Sequence, residues 1–363
     1  MEKQILVTKS SMPTVEEYSE EIKPIFESRW LTNCGPVHNK LKHQLEEFMG
    51  VENVELFTNG HQALLAAYRA LGLKGEVITT PFTFVSTTHS IADSGLTPVF
   101  CDVKEDYTID ENKIEDLITE NTVAIMPVHV YGNICNVDKI QEIADKHGLK
   151  IIYDGAHAFG EIVNGKNVGS YGDITMFSFH ATKAFNTIEG GCLVVKDKKI
   201  ADKIAKERNF GIDGEDIYSI GTNAKMNEFQ AAMGICNLRH LEEEFAKREI
   251  AYNAYNTALN GVKGIVLNAK QAIRRNYAYY PILITEEYGL TRDEVVELLK
   301  NHNIFARKYF YPATNEFSCY KYLGKSTTPI AHEYSKNILC LPMFADLTVE
   351  DVNRIANILI NKK

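Results

Sequence analysis

Residues 150–157 read KIIYDGAH, and residues 175–191 read TMFSFHATKAFNTIEGG. Each stretch opens as a short apolar run of strand length and then turns polar. The first ends on an acid, Asp154; the second runs through Ser178 and His180 to Lys183 and a glycine pair. Near-continuous apolar runs of this length belong to strands buried on both faces, as in parallel sheets covered by helices. In such open sheets, ligands collect beyond the carboxyl ends of the strands. Asp154 and Lys183 are therefore expected at one edge of one sheet. Singly, neither decides anything: an acid after a strand equally caps a helix, and most lysines are solvated.

The rhythm extends outward in both directions. Strands are expected at 54–57, 76–80, 98–102, 122–130, 150–153, 174–179 and 192–195, with helices from 61 to about 71, after Phe84 and at 137–147. Near the start, Thr14 and Glu17 form a capping-box pair that opens a helix towards Trp30; the turn-rich WLTNCGP at 30–36 ends it, and a second helix covers 40–49. Past residue 238 the character changes to one long charged helix, LRHLEEEFAKREIAYNAYNTAL, followed by a strand at 277–284, a helix at 291–301 and a closing helix from 348. The class is α/β. Residues 1–240 are read as a large domain with a mostly parallel mixed sheet covered by helices, and 241–363 as a smaller C-terminal α+β domain.

Composition narrows the function. The 363 residues carry 39 Lys and Arg against 48 Asp and Glu, a formal charge of −9. That balance argues against a general binder of nucleic acid or of membrane surfaces. No apolar stretch approaches the roughly 18 residues of a membrane helix, and residues 1–13 have no apolar signal region, so the cytoplasm is the expected compartment. The 7 cysteines are scattered without a C-x-x-C pair, which reads as reduced thiols with no metal site. Residues 160–167, GEIVNGKN, follow the spacing of a phosphate-binding loop until Asn167 replaces the final hydroxyl; the Asn164-Gly165 pair is better read as a hairpin turn. His38 and His43 are five apart, the wrong spacing for one helix face. No G-x-S-x-G or G-x-G-x-x-G motif is present.

A third strand end completes the set. Residues 56–65, LFTNGHQALL, pass from a strand through Asn59 and Gly60 directly into an apolar helix at His61. This aims unpaired N–H groups of a helix start beyond the sheet edge, a seat for phosphate. A phosphate seat, a buried acid and an amine in one cleft form the inventory for pyridoxal phosphate: helix start for the phosphate, acid for the pyridine nitrogen, lysine for the carbonyl carbon.

SFHATK at 178–183, EGG at 189–191, DGAH at 154–157, GTNAKMNEFQAA at 221–232 and WLTNCGP at 30–36 together resemble the DegT/DnrJ/EryC1/StrS family of nucleotide-sugar aminotransferases. The likeness covers nearly the whole chain. It implies the aspartate-aminotransferase-like fold, fold type I of the pyridoxal enzymes, with pyridoxal 5′-phosphate (PLP, or PMP in its amine form) as cofactor. Residue by residue, it implies that Lys183 links covalently to the cofactor and that Asp154 pairs with the pyridine nitrogen. It also implies that His157 lies near the ring hydroxyl. Asn59, Gly60 and His61 fall at the phosphate-binding helix start, where relatives often carry Gly-Thr, and Ser178 contacts the phosphate. Phe84 matches an aromatic that stacks on the ring, although a core Phe is an equal reading from burial alone. Asn223 matches an asparagine reaching the neighbouring subunit's cofactor, which implies a homodimer with active sites at its interface; Lys225 stands where relatives carry arginine.

The resemblance further implies L-glutamate as amino donor and a nucleotide-linked keto-sugar as acceptor. FARKYFYP at 305–312 resembles the family's Arg-x-Tyr-x-x-Pro region and offers Arg307, Tyr309 and Tyr311 to a diphosphate; on composition it is equally a basic-aromatic surface strand. Thr32, Asn33 and His180 are further substrate candidates. The TNGH and HATK variants resemble the branch that aminates TDP-4-keto-6-deoxy-D-glucose to TDP-4-amino-4,6-dideoxyglucose. Amination at C3 of a TDP-3-keto-6-deoxyhexose, or a non-catalytic ligand-binding protein of the same fold, are the alternatives; Lys183 argues against related dehydratases, which carry histidine there. Synthesis of surface glycans such as the O-antigen of lipopolysaccharide is a family-level expectation.

Overall fold

The computed structural model describes residues 3–267, 276–324 and 326–362. Its main sheet has seven strands: β1 (Val54–Phe57), β2 (Glu76–Thr79), β3 (Thr97–Phe100), β4 (Thr122–Met126), β5 (Lys150–Asp154), β6 (Ile174–Ser178) and β7 (Gly191–Val195), in the order β1-β7-β6-β5-β4-β2-β3. Among these described strands, β7 alone runs against its neighbours, pairing antiparallel with both β1 and β6. The carboxyl ends of β1, β5 and β6 therefore share an edge with the start of β7.

The strands are buried on both faces because their residues alternate between two cores. Leu56, Phe177, Cys192 and Val194 face one way, into a core with Leu41, Leu45 and Ile235. Phe57, Met176, Leu193 and Val195 face the other, towards Ala63, Leu64 and Ile204. Period two along each strand, with helices on both sides, makes each run apolar throughout. Helices α1 (Val15–Ser28), α2 (Pro36–Met49), α3 (Gly60–Leu71), α4 (Val85–Asp93), α5 (Val137–His147), α6 (Lys198–Glu207) and α7 (Glu228–Arg239) supply this cover.

Several expected boundaries shift. The strand expected over 122–130 stops at Met126, since Val130–Gly132 forms a 3-10 turn. The single helix expected from residue 238 breaks at His240 (φ −101°, ψ 0°): α7, opened by an Asn227–Gln230 capping box, ends there, and α8 (Leu241–Leu259) begins. Asn164 (φ 49°) and Gly165 (φ 74°) do form a hairpin turn, joining Ile162–Val163 to Lys166–Asn167.

Towards the C-terminus, β8 (Ile265–Leu267), β9 (Tyr280–Ile284) and β10 (Ile338–Leu341) make an antiparallel sheet in that order. With α8, α9 (Arg292–Asn301) and α11 (Val349–Asn361) they enclose a core of Tyr255, Leu299, Ile355 and Leu359. Ile5 joins this same core and bridges to Ile304, so the first residues of the chain pack with the last hundred. Helix α10 (Pro329–Asn337) lies beside a separate aromatic cluster in which Phe82, Tyr107 and Tyr131 meet Phe310 and Cys340, joining the two parts of the molecule. Among the described residues, no helix is long and apolar enough to cross a membrane.

Candidate active site

Strand register assembles the site. Phe57, Gly191 and Ser178 lie opposite one another across β1, β7 and β6, and Asp154 pairs with Met176 on the next strand. At this edge opens a cavity of about 480 Å³. Asn59, Gly60, His61, Phe84, Asp154, His157, Ser178, His180, Lys183, Arg307 and Tyr309 all line it.

At one end α3 begins. The Asn59 side chain accepts from Gln62 N–H at 2.9 Å, so the amides of Gly60 and His61 open the helix beside the cavity. Gly60 is required for the close seat of this helix on the strand ends: a Cβ there would come within 2.8 Å of Met176 Sδ. Gly191 is required for the same reason, its Cβ falling 2.7 Å from Gly60 N. The seat carries hydroxyls from Ser178 and from Ser86, whose Oγ lies 2.9 Å from His61 Nδ1. Burial pushes the His61 imidazolium towards its neutral form.

In the floor, Asp154 is buried but not starved of partners. Thr87 Oγ1 donates to its Oδ2 at 2.7 Å and Ala156 N–H donates to Oδ1 at 3.0 Å. Burial raises the pKa of its carboxyl, while Thr87, the Ala156 amide and Lys183 pull the other way. Because Thr87 gives its proton to Asp154, Thr83, with its Oγ1 2.7 Å from Thr87 Oγ1, must donate to Thr87. Beside the acid, His157 Nδ1 accepts from Tyr131 N–H at 3.0 Å. That bond fixes the tautomer, leaving Nε2 as the protonated nitrogen, and burial keeps the ring neutral.

Lys183 stands in the turn between β6 and β7, where its own N–H bonds His180 O at 2.9 Å and Thr187 N–H bonds Phe179 O at 2.9 Å. Its Nζ is 3.1 Å from Tyr279 Oη. Burial lowers its pKa, with Arg307 adding to the effect and Tyr309 and Asp154 opposing it. A lysine that loses its proton readily is a usable nucleophile and base, unlike a solvated one. Anion seat, acid, neutral imidazole and amine thus face a common space.

A profile of the DegT/DnrJ/EryC1/StrS aminotransferase family matches residues 13–360. The chain belongs to this aminotransferase family. It is 44% identical over 362 residues to a dTDP-4-amino-4,6-dideoxy-D-glucose transaminase of Shigella dysenteriae, spanning 98% of each chain. With the enzyme of the same name from Escherichia coli it shares 42% over 370 residues, 99% of each. Among solved structures, DesI, crystallised in the presence of its TDP-sugar product, superposes with a TM-score of 0.95 at 33% identity, covering 99% of this chain and 93% of DesI. The fold is therefore the aspartate-aminotransferase-like one expected of fold type I.

Within this family frame, four expected residues lie outside the chain's own cavity. Asn223 pairs with Asn209 in a loop, and Lys225 Nζ donates to both side-chain oxygens, at 2.9 and 2.6 Å respectively. Lys225 thus holds two asparagines together. Thr32 and Asn33 sit in the exposed turn before α2, which Glu228 anchors by accepting from the amides of Gly35, Val37 and His38. Tyr311 is turned away: its ring is exposed and covers the Arg292 guanidinium at 4.7 Å. His180 lines the mouth, 3.5 Å from Glu189.

Sequence reasoning missed Thr83, Thr87, Glu189 and Tyr279. For Thr87 a signal existed: STT at 86–88 are poor helix formers placed in the first turn of α4, and residues that defy local propensity often serve through their hydroxyls. Tyr279 had none, lying in an apolar run read as ordinary strand.

Proposed function

We propose that the chain is a PLP-dependent aminotransferase that moves an amino group from L-glutamate to C4 of TDP-4-keto-6-deoxy-D-glucose, giving TDP-4-amino-4,6-dideoxyglucose. The observation that carries this reading is the convergence of Lys183, Asp154 and the α3 start in one cavity of a chain 44% and 42% identical, end to end, to two dTDP-4-amino-4,6-dideoxy-D-glucose transaminases.

The residues present fit the cofactor. Gly60 and His61 amides with the Ser178 hydroxyl suit a phosphate dianion. Asp154 has one bond on each oxygen and retains acceptor capacity for a ring N–H. His157 Nε2–H suits a ring hydroxyl, and Phe84, half exposed at the rim, suits a ring face. When bound, PLP supplies a conjugated ring that takes up the electron pair left when a carbon bearing the amine loses its proton.

The chain's own residues do the rest. Asp154 keeps the ring nitrogen protonated by charge-assisted pairing, which the Thr83–Thr87 hydroxyl chain supports by favouring its ionised form. With the cofactor bound, Lys183 would hold it through its side-chain amine; once displaced, its Nζ would take the proton from the donor's α-carbon and deliver it to the carbon on the other side of the transferred nitrogen. Arg307, at the cavity wall 3.3 Å from Tyr309 Oη, offers its guanidinium to the diphosphate. Two copies complete the site, with Asn223 of one reaching the cavity of the other. In support, the loop that bears Asn223 also exposes Phe210, Ile217 and Ile220, a run of apolar side chains that a second copy would cover.

The test is incubation with PLP, L-glutamate and TDP-4-keto-6-deoxyglucose, with the product identified by mass and NMR. A 4-amino sugar is expected. Conversion of the cofactor by glutamate without a sugar product would overturn the acceptor, and an unreactive cofactor would overturn the aminotransferase reading for this cavity.

A further inference from the structure

Tyr279 enters the site from the far side of the molecule, just ahead of β9, and its hydroxyl lies 3.1 Å from Lys183 Nζ. The ring is itself held, 4.4 Å from the His157 ring and 6.0 Å from that of Tyr309 between centroids. We infer that Tyr279 is a positioning residue that holds the free Lys183 amine and stabilises the ammonium formed when that amine takes a proton from the substrate carbon. This rests on the aminotransferase reading above.

Once released from the cofactor, the amine must be held in place and its charge accommodated. In the proton transfer, an N–H bond forms on Lys183 and a C–H bond breaks on the substrate; the electron pair stays on the carbon side and passes into the conjugated ring. Positive charge therefore appears on Nζ in a confined pocket. The groups facing it are Asp154, His157, Arg307, Tyr309 and Tyr279. Asp154 is committed to the ring nitrogen, His157 is neutral, and Arg307 repels the new charge. Tyr279 offers an oxygen lone pair at hydrogen-bond distance, and burial holds its phenol un-ionised, so it accepts from the ammonium without losing its own proton. Hydrogen bonds to charged groups are stronger than neutral ones, so this contact favours the protonated amine and makes Lys183 a stronger base than burial alone would leave it.

Two variants separate this role from packing. Y279F keeps the ring against His157 and Tyr309 but removes the oxygen; Y279L removes both. On the full-length chain freed of cofactor, the pH dependence of Lys183 trace acylation, read by mass spectrometry, is expected to move to lower pH by about one unit in Y279F, a tenfold loss of proton affinity. In the loaded enzyme, Y279F should lower kcat about tenfold with KM changed less than about twofold. Native-like acylation and turnover in Y279F, with defects only in Y279L, would show a packing role and overturn the inference. Should the native chain itself fail to aminate, the functional reading falls, while the acylation profile still decides whether Tyr279 sets the proton affinity of Lys183.

Discussion

The cavity has two unlike walls. One is built from strand ends and a helix start, and backbone groups help to place its polar residues: the Gln62 amide for Asn59, the Ala156 amide for Asp154, the Tyr131 amide for His157, and the turn between β6 and β7 for Lys183. The other comes from the C-terminal part and is aromatic: Tyr279 and Tyr309 pack in a cluster with Tyr131, His157 and Phe310, and Arg307 lies over the Tyr309 ring. The backbone-set wall holds the acid, the amine, the neutral imidazole and the helix start. The packed wall presses on them and presents one cation. On the proposed function, the first wall carries the reacting groups, and the second supports them through Tyr279 and offers Arg307 to the nucleotide sugar.

Experiments that remove one wall's contribution at a time test this division. Lys183→Ala should lower amination by at least about 10⁴-fold while leaving the thermal midpoint essentially unchanged, as measured by product formation and circular dichroism. Undiminished turnover would remove the backbone-set wall from the chemistry. Asp154→Asn keeps shape but not charge and should cost about a thousandfold in kcat; a loss confined to KM would place the acid with binding instead.

Acid titration tests the buried histidines, His157 of the first wall among them, through stability. Burial lowers His38 to about 4 and His129 to about 3, and His157 lies well below its usual value. Unfolded, each titrates at about 6.5, so as pH falls below that value the unfolded chain binds protons that the fold refuses. The stability these groups contribute is complete above about pH 7 and is lost towards pH 4, at up to about 1.4 kcal/mol per histidine per pH unit. Asp154 and Glu228, whose pKa values burial raises, oppose part of the slope. Urea midpoints at pH 7.5, 6.5 and 5.5 should fall in that order; a rise would contradict the neutral state of these buried histidines. The smallest effect belongs to the packed wall. Arg307→Gln should raise KM for the nucleotide sugar about tenfold and leave the glutamate half-reaction unaltered. An equal loss in both halves would erase the distinction.

The amino-acid sequence alone determined the alternating strands, the edge they share, and hence the meeting of Asp154, Lys183 and the α3 start. Local rules suffice there, because apolar period two and a polar residue at a strand's end are properties of short segments. Tertiary structure decided the rest. Tyr279 lies 96 residues from Lys183, and only packing between the two parts of the chain brings them to hydrogen-bond distance. Thr87 on α4 bonds Asp154 at the end of β5, a contact no spacing encodes. Tyr311 shared a motif with Arg307 and Tyr309 yet turned to Arg292, where its ring found a cation on another element's surface. Side chains anchored by their own strand's backbone can be placed from sequence; those anchored by another element's surface can be placed only once that element has docked.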